Sequence, residues 1–151
     1  MNLLAFTIGI FIFSIVFQLF TGIWLFFEKY SINPEYISEL IRGNPEKFIN
    51  PKSVLGILEI TVPHLLAVSL TVFVILHFFY FSKINMFKIV LSLTVFISGI
   101  LDIVSNVLIL KISPVFSYVK VLSFLTFEIG LFISLVLVGL SSYKHLRQQN
   151  H

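Results

Sequence analysis

Ionisable and amide side chains lie inside long apolar stretches of this sequence. A charge or an imidazole in hydrocarbon costs several kcal/mol unless it finds a partner, so such residues mark a candidate site. They are Glu59, His64, Asp102, Asn106, Lys120 and Glu128, with Glu28 at the end of the first stretch as a candidate gate. Their carboxylates outnumber the single lysine, so the pattern predicts a pocket for a proton, a cation or a small polar ligand.

Pro63 interrupts the hydrogen-bond ladder next to two of these residues. Proline has no N–H group, so its helix loses the bond to the carbonyl of Glu59, four residues earlier. We expect a kink at Pro63 that turns this carbonyl toward the pocket. Glu59 and His64 are five residues apart, about 140° around a helix at about 100° per residue, so both reach the pocket only with such a kink or a bridging water.

The composition is that of a membrane protein. Of the 151 residues, 58% are hydrophobic and only 11% are charged, whereas a soluble domain has about 25% charged residues. The formal net charge of +3 comes from basic residues near the ends of the apolar stretches, as membrane topology alone produces, so nucleic-acid binding is not indicated. The chain has no cysteine, which excludes disulfides, thiolate catalysis and iron–sulfur sites.

The elements that must position the pocket are four spanning helices. A span needs about 20 apolar residues, and the apolar runs cover about 3–27, 54–81, 89–110 and 115–142. Short connections at two of the three junctions predict an all-α, up-down four-helix bundle that forms a single transmembrane domain over residues 1–151. At about 1.5 Å per residue, the polar groups of all four helices fall in the half of the membrane away from the termini.

The polar segment 33–50 is predicted to hold a short interfacial helix that ends near Gly43. Asn is a favoured N-cap and Pro a favoured first helical residue, so an Asn-Pro pair predicts a helix start. The three pairs are Asn33-Pro34, Asn44-Pro45 and Asn50-Pro51, and the third is expected to open the second span.

Two spans carry polar stripes that we expect to face the interior of the bundle. Residues at helical spacing share one face. The first span carries Thr7, Ser14, Gln18 and Thr21, and the third carries Thr94, Ser98, Asp102 and Asn106.

Other interpretations of the same residues are open. The polar groups could form a purely structural core, with Lys120 neutralising Asp102 or Glu128. Alternatively, His77 and His145, which approach the same membrane surface on different helices, could bind haem b in an electron-transfer subunit. Haem b is the one cofactor that these histidines indicate, and the sequence does not identify a metal. Motifs such as H-E-x-x-H and G-x-S-x-G are missing from the sequence, which argues against an enzyme.

The sequence therefore predicts a small, multi-pass and non-enzymatic membrane protein, or an accessory subunit of a larger membrane complex. Its partners are the lipid bilayer and either another membrane protein or a second copy of the chain. Counting the terminal amine, the two membrane sides carry equal numbers of basic groups. We assign the termini to the cytoplasmic side, because short basic linkers resist translocation.

The haem alternative is directly testable. We expect no Soret band in protein purified after expression with haem available, measured by absorption spectroscopy. A band that disappears in His77→Ala or His145→Ala would contradict this expectation and establish the electron-transfer alternative.

Overall fold

The computed structural model describes the backbone of residues 3–80 and 85–149, and the side chains of 6–79 and 85–141. Within these ranges it contains five α-helices and one 3-10 turn, Pro45–Lys47. The helices are α1 (Leu3–Tyr30), α2 (Pro34–Arg42), α3 (Val54–Tyr80), α4 (Met86–Lys111) and α5 (Phe116–Gln149). Four of them, α1, α3, α4 and α5, are long and apolar enough to cross a membrane. The predicted all-α fold, with four spans and a short helix after the first, is confirmed.

The four spans pack in the order α1, α5, α4, α3. The most extensive interface is between α4 and α5; α3 packs mainly on α4, and α1 mainly on α5. Gly130 of α5 allows the closest approach, since a Cβ atom there would lie 2.5 Å from the Cγ2 atom of Val95 on α4. Small residues of this kind let membrane helices approach closely. The two outer helices, α1 and α3, therefore face each other across a surface formed by α4 and α5.

The two halves of the bundle are packed differently. We call the membrane side that holds the start of α1 and the end of α5 the termini side, and the opposite side the α2 side. Toward the termini side a continuous apolar core fills the bundle, and its members include Ile15, Val72, Ile75, Phe79, Val95, Leu131, Leu135 and Val138. There the rings of Phe11 on α1 and Phe78 on α3 lie 4.9 Å apart between centroids. These contacts close the gap between α1 and α3 on the termini side.

Helix α2 covers the other end of the bundle. It begins at Asn33, whose side-chain oxygen accepts a hydrogen bond from the Glu35 N–H at 2.9 Å. Ile37 and Ile41, four residues apart on one face, are fully buried in a second apolar cluster with residues of α1, α3, α4 and α5. Arg42 donates from Nη1 to the carbonyl of Ile109 at 3.2 Å, which satisfies a carbonyl near the C-terminal end of α4. The helix is therefore docked on the bundle by both apolar and polar contacts.

Two of the three Asn-Pro pairs start helical turns as predicted. The second pair begins the 3-10 turn, where the Asn44 side chain accepts from the Glu46 N–H. The third pair does not itself start a helix: α3 begins at Val54, as the apolar run 54–81 predicted, and the Ser53 hydroxyl accepts from the Gly56 N–H at 3.0 Å. Before it, the Lys52 N–H donates to the Ile41 carbonyl at 3.0 Å. This bond holds the chain after Asn50 against the end of α2 and delays the start of α3.

The polar stripe of α1 is only partly directed inward, so the prediction that all of it faces the interior is wrong. Gln18 is half-buried, but Thr7, Ser14 and Thr21 are exposed, and of these three Thr21 lines the cavity described below. The buried face of α1 is instead formed by Ile8, Ile15, Leu19 and Phe26, because this helix packs mainly on one neighbour, α5. The stripe of α4 faces inward at Ser98 and Asn106, whereas Thr94 is exposed. Helix α3 runs continuously through Pro63, and the expected kink stays a prediction.

Gly43→Ala is expected to destabilise the fold. Gly43 follows α2 with a φ of +85°, and a Cβ atom there would lie 2.8 Å from both Cδ and N of Pro51. A non-glycine residue in such a conformation costs about 1–3 kcal/mol, and the overlap with Pro51 adds to this. The free energy of unfolding in mixed micelles measures the effect.

Gly9→Ala is the matched control. No atom lies within 4 Å of a Cβ placed there, and Ala is favoured over Gly inside a helix by about 0.5–1 kcal/mol. Equal stability changes in the two variants would contradict the role given to Gly43.

Candidate intramembrane cavity

A cavity of about 410 Å³ lies in the half of the bundle toward the α2 side. All four spans contribute to its wall. The apolar part of the wall includes Leu25, Phe26, Ile60, Val68, Phe124 and Phe127, and the polar part includes Gln18, Thr21, Lys29, Tyr30, Thr61, His64, Asp102, Asn106, Lys120 and Glu128. The polar groups of the third and fourth spans thus meet those of the first two around one space.

A buried ion pair joins α4 and α5 at this wall. The Lys120 Nζ atom lies 2.9 Å from Asp102 Oδ1 and also donates to the Asp102 backbone carbonyl at 3.3 Å. The Lys120 side chain is only 3% exposed. Its ammonium lies 4.8 Å from the centroid of the Tyr30 ring, a distance at which the ring face attracts a cation. The charge of Lys120 is therefore balanced by Asp102.

Three buried oxygen atoms of the wall lack a hydrogen-bond partner among the described residues. They are Thr61 Oγ1, Asn106 Oδ1 and Glu128 Oε2, from three different helices. A buried polar atom left unpaired costs about 1–3 kcal/mol, and more if it is charged. All three residues line the cavity, but the oxygen atoms themselves are enclosed by protein, so a molecule inside the cavity would donate to them only after these side chains turn toward it.

Glu128 lies against the backbone of α1. A Cβ atom added at Gly22 would be 3.0 Å from Glu128 Oε1. The glycine therefore makes room for the carboxyl group between α5 and α1. Asp102 is engaged with Lys120, so the two acids of the wall have different surroundings.

The end of the cavity on the α2 side is positively charged. The Tyr30 ring has the Nζ atoms of Lys29 and Lys52 each at 5.5 Å from its centroid, in addition to Lys120 on the cavity side. A hollow of about 10 Å³ lies beside Tyr30, Lys52 and Asn106. Burial, together with the charges of Lys29 and Lys120, lowers the pKa of Lys52.

The cavity is open at its side. Between α1 and α3 its edges are exposed residues, namely Thr21 and Leu25 on α1 and Ile60, His64 and Ala67 on α3. We call this opening the slot. Since α1 and α3 are spans, the slot faces the hydrocarbon of a surrounding bilayer.

The structure brings five of the residues selected from the sequence to one cavity: His64, Asp102, Asn106, Lys120 and Glu128. Glu59 and Glu28 are exposed and do not line it. Glu59 is directed away from His64, as the angle of about 140° between them requires. In the described ranges, no group of three or more His, Asp or Glu side chains could hold a metal ion.

The histidines of the haem alternative lie elsewhere. His77 is exposed, with its ring 6.5 Å from that of Phe73, and the side chain of His145 is outside the described residues. Sequence reasoning missed Thr61, Gly22 and Tyr30 as parts of the wall. Thr61 had a usable signal, because it precedes His64 by three residues and shares its helix face.

Loss of the Lys120 ammonium is expected to be strongly destabilising. Lys120→Met leaves Asp102 as an uncompensated buried charge, which costs about 3–5 kcal/mol. The double variant Lys120→Met with Asp102→Leu should recover most of this loss, because no charge is then left alone. Unfolding free energies in mixed micelles give the coupling between the two positions.

Lys111→Met, at an exposed position at the end of α4, is the control. It should change stability by less than about 0.5 kcal/mol. A Lys120→Met variant as stable as this control would show that the buried pair does not support the fold.

The chain was also compared with known proteins. A family model, Aq_1264_TM, described as a transmembrane helical domain, matches residues 31–150. The match includes α2 to α5 and begins directly after α1. No curated protein and no solved structure matches the chain. With a match over well more than half of its length, and with four helices that are long and apolar enough to span a membrane, the chain is a small multi-pass membrane protein that belongs to the Aq_1264_TM family of transmembrane helical domains.

Proposed function

We propose that this protein binds a small cationic ligand in its intramembrane cavity, without catalysing a reaction. The observation that carries the proposal is the set of buried oxygen atoms at Thr61, Asn106 and Glu128 that lack a partner among the described residues. Oxygen acceptors suit a ligand that donates hydrogen bonds. A carboxylate among them favours a ligand with positive charge.

The charges of the wall support a cation near Glu128. Asp102 is already balanced by Lys120, and Glu128 lies eight residues from Lys120, about 12 Å along α5 at about 1.5 Å per residue. Lys29 is seven residues beyond Gly22 on α1, about 10 Å from the level of Glu128. Lysines near a helix end extend toward the membrane surface. The Glu128 carboxyl group is thus left for a proton or a bound cation.

A purely structural core explains the same residues less well. Such a core is held together by hydrogen bonds between helices, and Asp102 with Lys120 fits that description. The three unpaired oxygens do not, because each would reduce stability in a site without an occupant. The cavity beside them also has the volume of a ligand site, about 300–1,000 Å³.

Glu128→Gln is expected to abolish stabilisation by the ligand while preserving the shape of the side chain. The protein would be reconstituted in phosphatidylcholine nanodiscs and its thermal unfolding followed with Na⁺, K⁺, Mg²⁺, methylammonium and octylammonium. A ligand at 100 times its Kd stabilises a protein by about 2.7 kcal/mol. At least one cation should raise the Tm of the wild type and have no effect on Glu128→Gln.

Glu28→Gln is the matched control, since Glu28 is exposed and lies outside the cavity wall. It should respond to the cation as the wild type does. The proposal is overturned if none of the five cations raises the wild-type Tm, or if the active one stabilises Glu128→Gln equally.

A further inference from the structure

We infer that the ligand is a primary amine with an apolar body, whose ammonium group binds at Glu128 and whose body lies in the slot between α1 and α3. This inference rests on the proposed function and adds to it the chemical class of the ligand and the side from which it enters. Three properties of the cavity support this inference: its volume, the chemistry of its wall and the position of its opening.

The volume of the cavity excludes a bare inorganic ion as the full occupant. A single water needs about 10–15 Å³ of such space, whereas the cavity has about 410 Å³. Much of its wall is formed by Leu25, Phe26, Ile60, Val68, Phe124 and Phe127, which offer no hydrogen bonds. Apolar walls with a few placed polar groups are typical of sites for organic molecules.

The Glu128 carboxyl group suits an ammonium group that has N–H donors. It lines the cavity, and its Oε2 atom has no partner among the described residues. An –NH₃⁺ group has three N–H donors and no acceptor. Asn106 lies one turn beyond Asp102 toward the α2 side, whereas Glu128 lies about 12 Å from Lys120 in the other direction, so the ammonium group binds at Glu128 and not at both residues. A quaternary ammonium has the charge but no donors, so it would leave the Glu128 carboxyl group without a hydrogen bond.

The routes of access favour entry from the bilayer. On the α2 side, Tyr30 is surrounded by the ammonium groups of Lys29, Lys52 and Lys120, and these repel a cation. The hollow beside Tyr30 holds no more than about one water by volume. On the termini side the core and the contact between Phe11 and Phe78 close the bundle. The slot is the opening that remains among the described residues, and it suits a molecule dissolved in the membrane.

Four probes separate the parts of this inference: octylammonium, methylammonium, octyltrimethylammonium and octanol. Compared with octylammonium, methylammonium lacks the apolar tail, octyltrimethylammonium lacks the N–H donors, and octanol lacks the charge. Each probe is titrated into protein in phosphatidylcholine nanodiscs. The signal from empty nanodiscs is subtracted to correct for partition of the probe into lipid. We expect octylammonium to bind at least about tenfold more tightly than each of the other three. The Glu128→Gln variant should lose this preference.

Ala67→Phe tests the position of the apolar body. Ala67 is exposed at the edge of the slot, so a phenylalanine there fills the space that the tail would occupy. We expect at least about tenfold weaker octylammonium binding. Val62→Phe is the control, because Val62 is exposed on the same helix and does not line the cavity. Equal affinity in Ala67→Phe and Val62→Phe would overturn the placement of the tail.

The outcomes distinguish this inference from the proposed function. If methylammonium or an inorganic cation binds as tightly as octylammonium and still requires Glu128, the cation site stands and the amphipathic ligand is ruled out. If octyltrimethylammonium binds equally well, a hydrogen bond from the ammonium group to Glu128 is ruled out. If octanol equals octylammonium, or no probe requires Glu128, both proposals are overturned.

An ammonium on an apolar body can come from a free amine or from an aminophospholipid headgroup. Nanodiscs that contain phosphatidylethanolamine distinguish the two sources. A lipid headgroup in the site would raise the Tm of the wild type relative to Glu128→Gln and would weaken the apparent binding of octylammonium. Unchanged octylammonium binding in these nanodiscs assigns the site to the free amine.

Discussion

The architecture of this bundle depends on the requirement that a lysine ammonium inside a membrane be neutralised. Lys120 is almost completely buried and reaches Asp102 on the neighbouring helix at 2.9 Å. The pair fixes α4 and α5 in depth and in rotation, because a shift of one helix would leave both charges alone at large cost. The close approach of Gly130 on α5 to Val95 on α4 is compatible with the alignment of the two helices that the ion pair requires. The two outer helices then pack on this central pair.

The cavity is a consequence of that arrangement. Helix α1 rests mainly on α5 and α3 mainly on α4, so their facing surfaces meet only where large side chains bridge the gap. Phe11 and Phe78 do so on the termini side. Toward the α2 side the edge of the wall on α3 contains Ala67, whose methyl group is too short to bridge the gap to α1. The family match begins after α1. The matched part of the chain therefore supplies the walls on α3, α4 and α5, which include Thr61, Asn106 and Glu128, while α1 supplies the wall from Gln18 to Tyr30.

Depth in the membrane could be predicted from the sequence, but the direction of many side chains could not. Counting residues along apolar runs placed Asp102, Lys120 and Glu128 at related depths, and they line one cavity. The direction of a side chain depends on which neighbours its helix has, and the sequence does not state this for α1 or α3. Glu59 shows the difficulty, since it is at the right depth but exposed. The Asn50-Pro51 pair does not start α3, because the chain after it is held by a bond between Lys52 and Ile41, a tertiary contact that local capping rules do not contain.

The contact between Phe11 and Phe78 closes the cavity at its termini-side end, so in the described residues the cavity does not continue through the bundle as a channel. A pore must offer a polar path through both leaflets. In the described residues the termini-side half of this bundle is packed mainly with aliphatic and aromatic side chains, and its buried polar residues Thr71, Ser92 and Ser134 carry no charge. An ion at the level of Glu128 would have to cross that half without hydration, which hydrocarbon opposes strongly. Exchange with the far aqueous phase would require α1 and α3 to separate at their termini-side ends. In the packed arrangement of the described residues, the cavity opens through the slot between α1 and α3, on the side of the bundle.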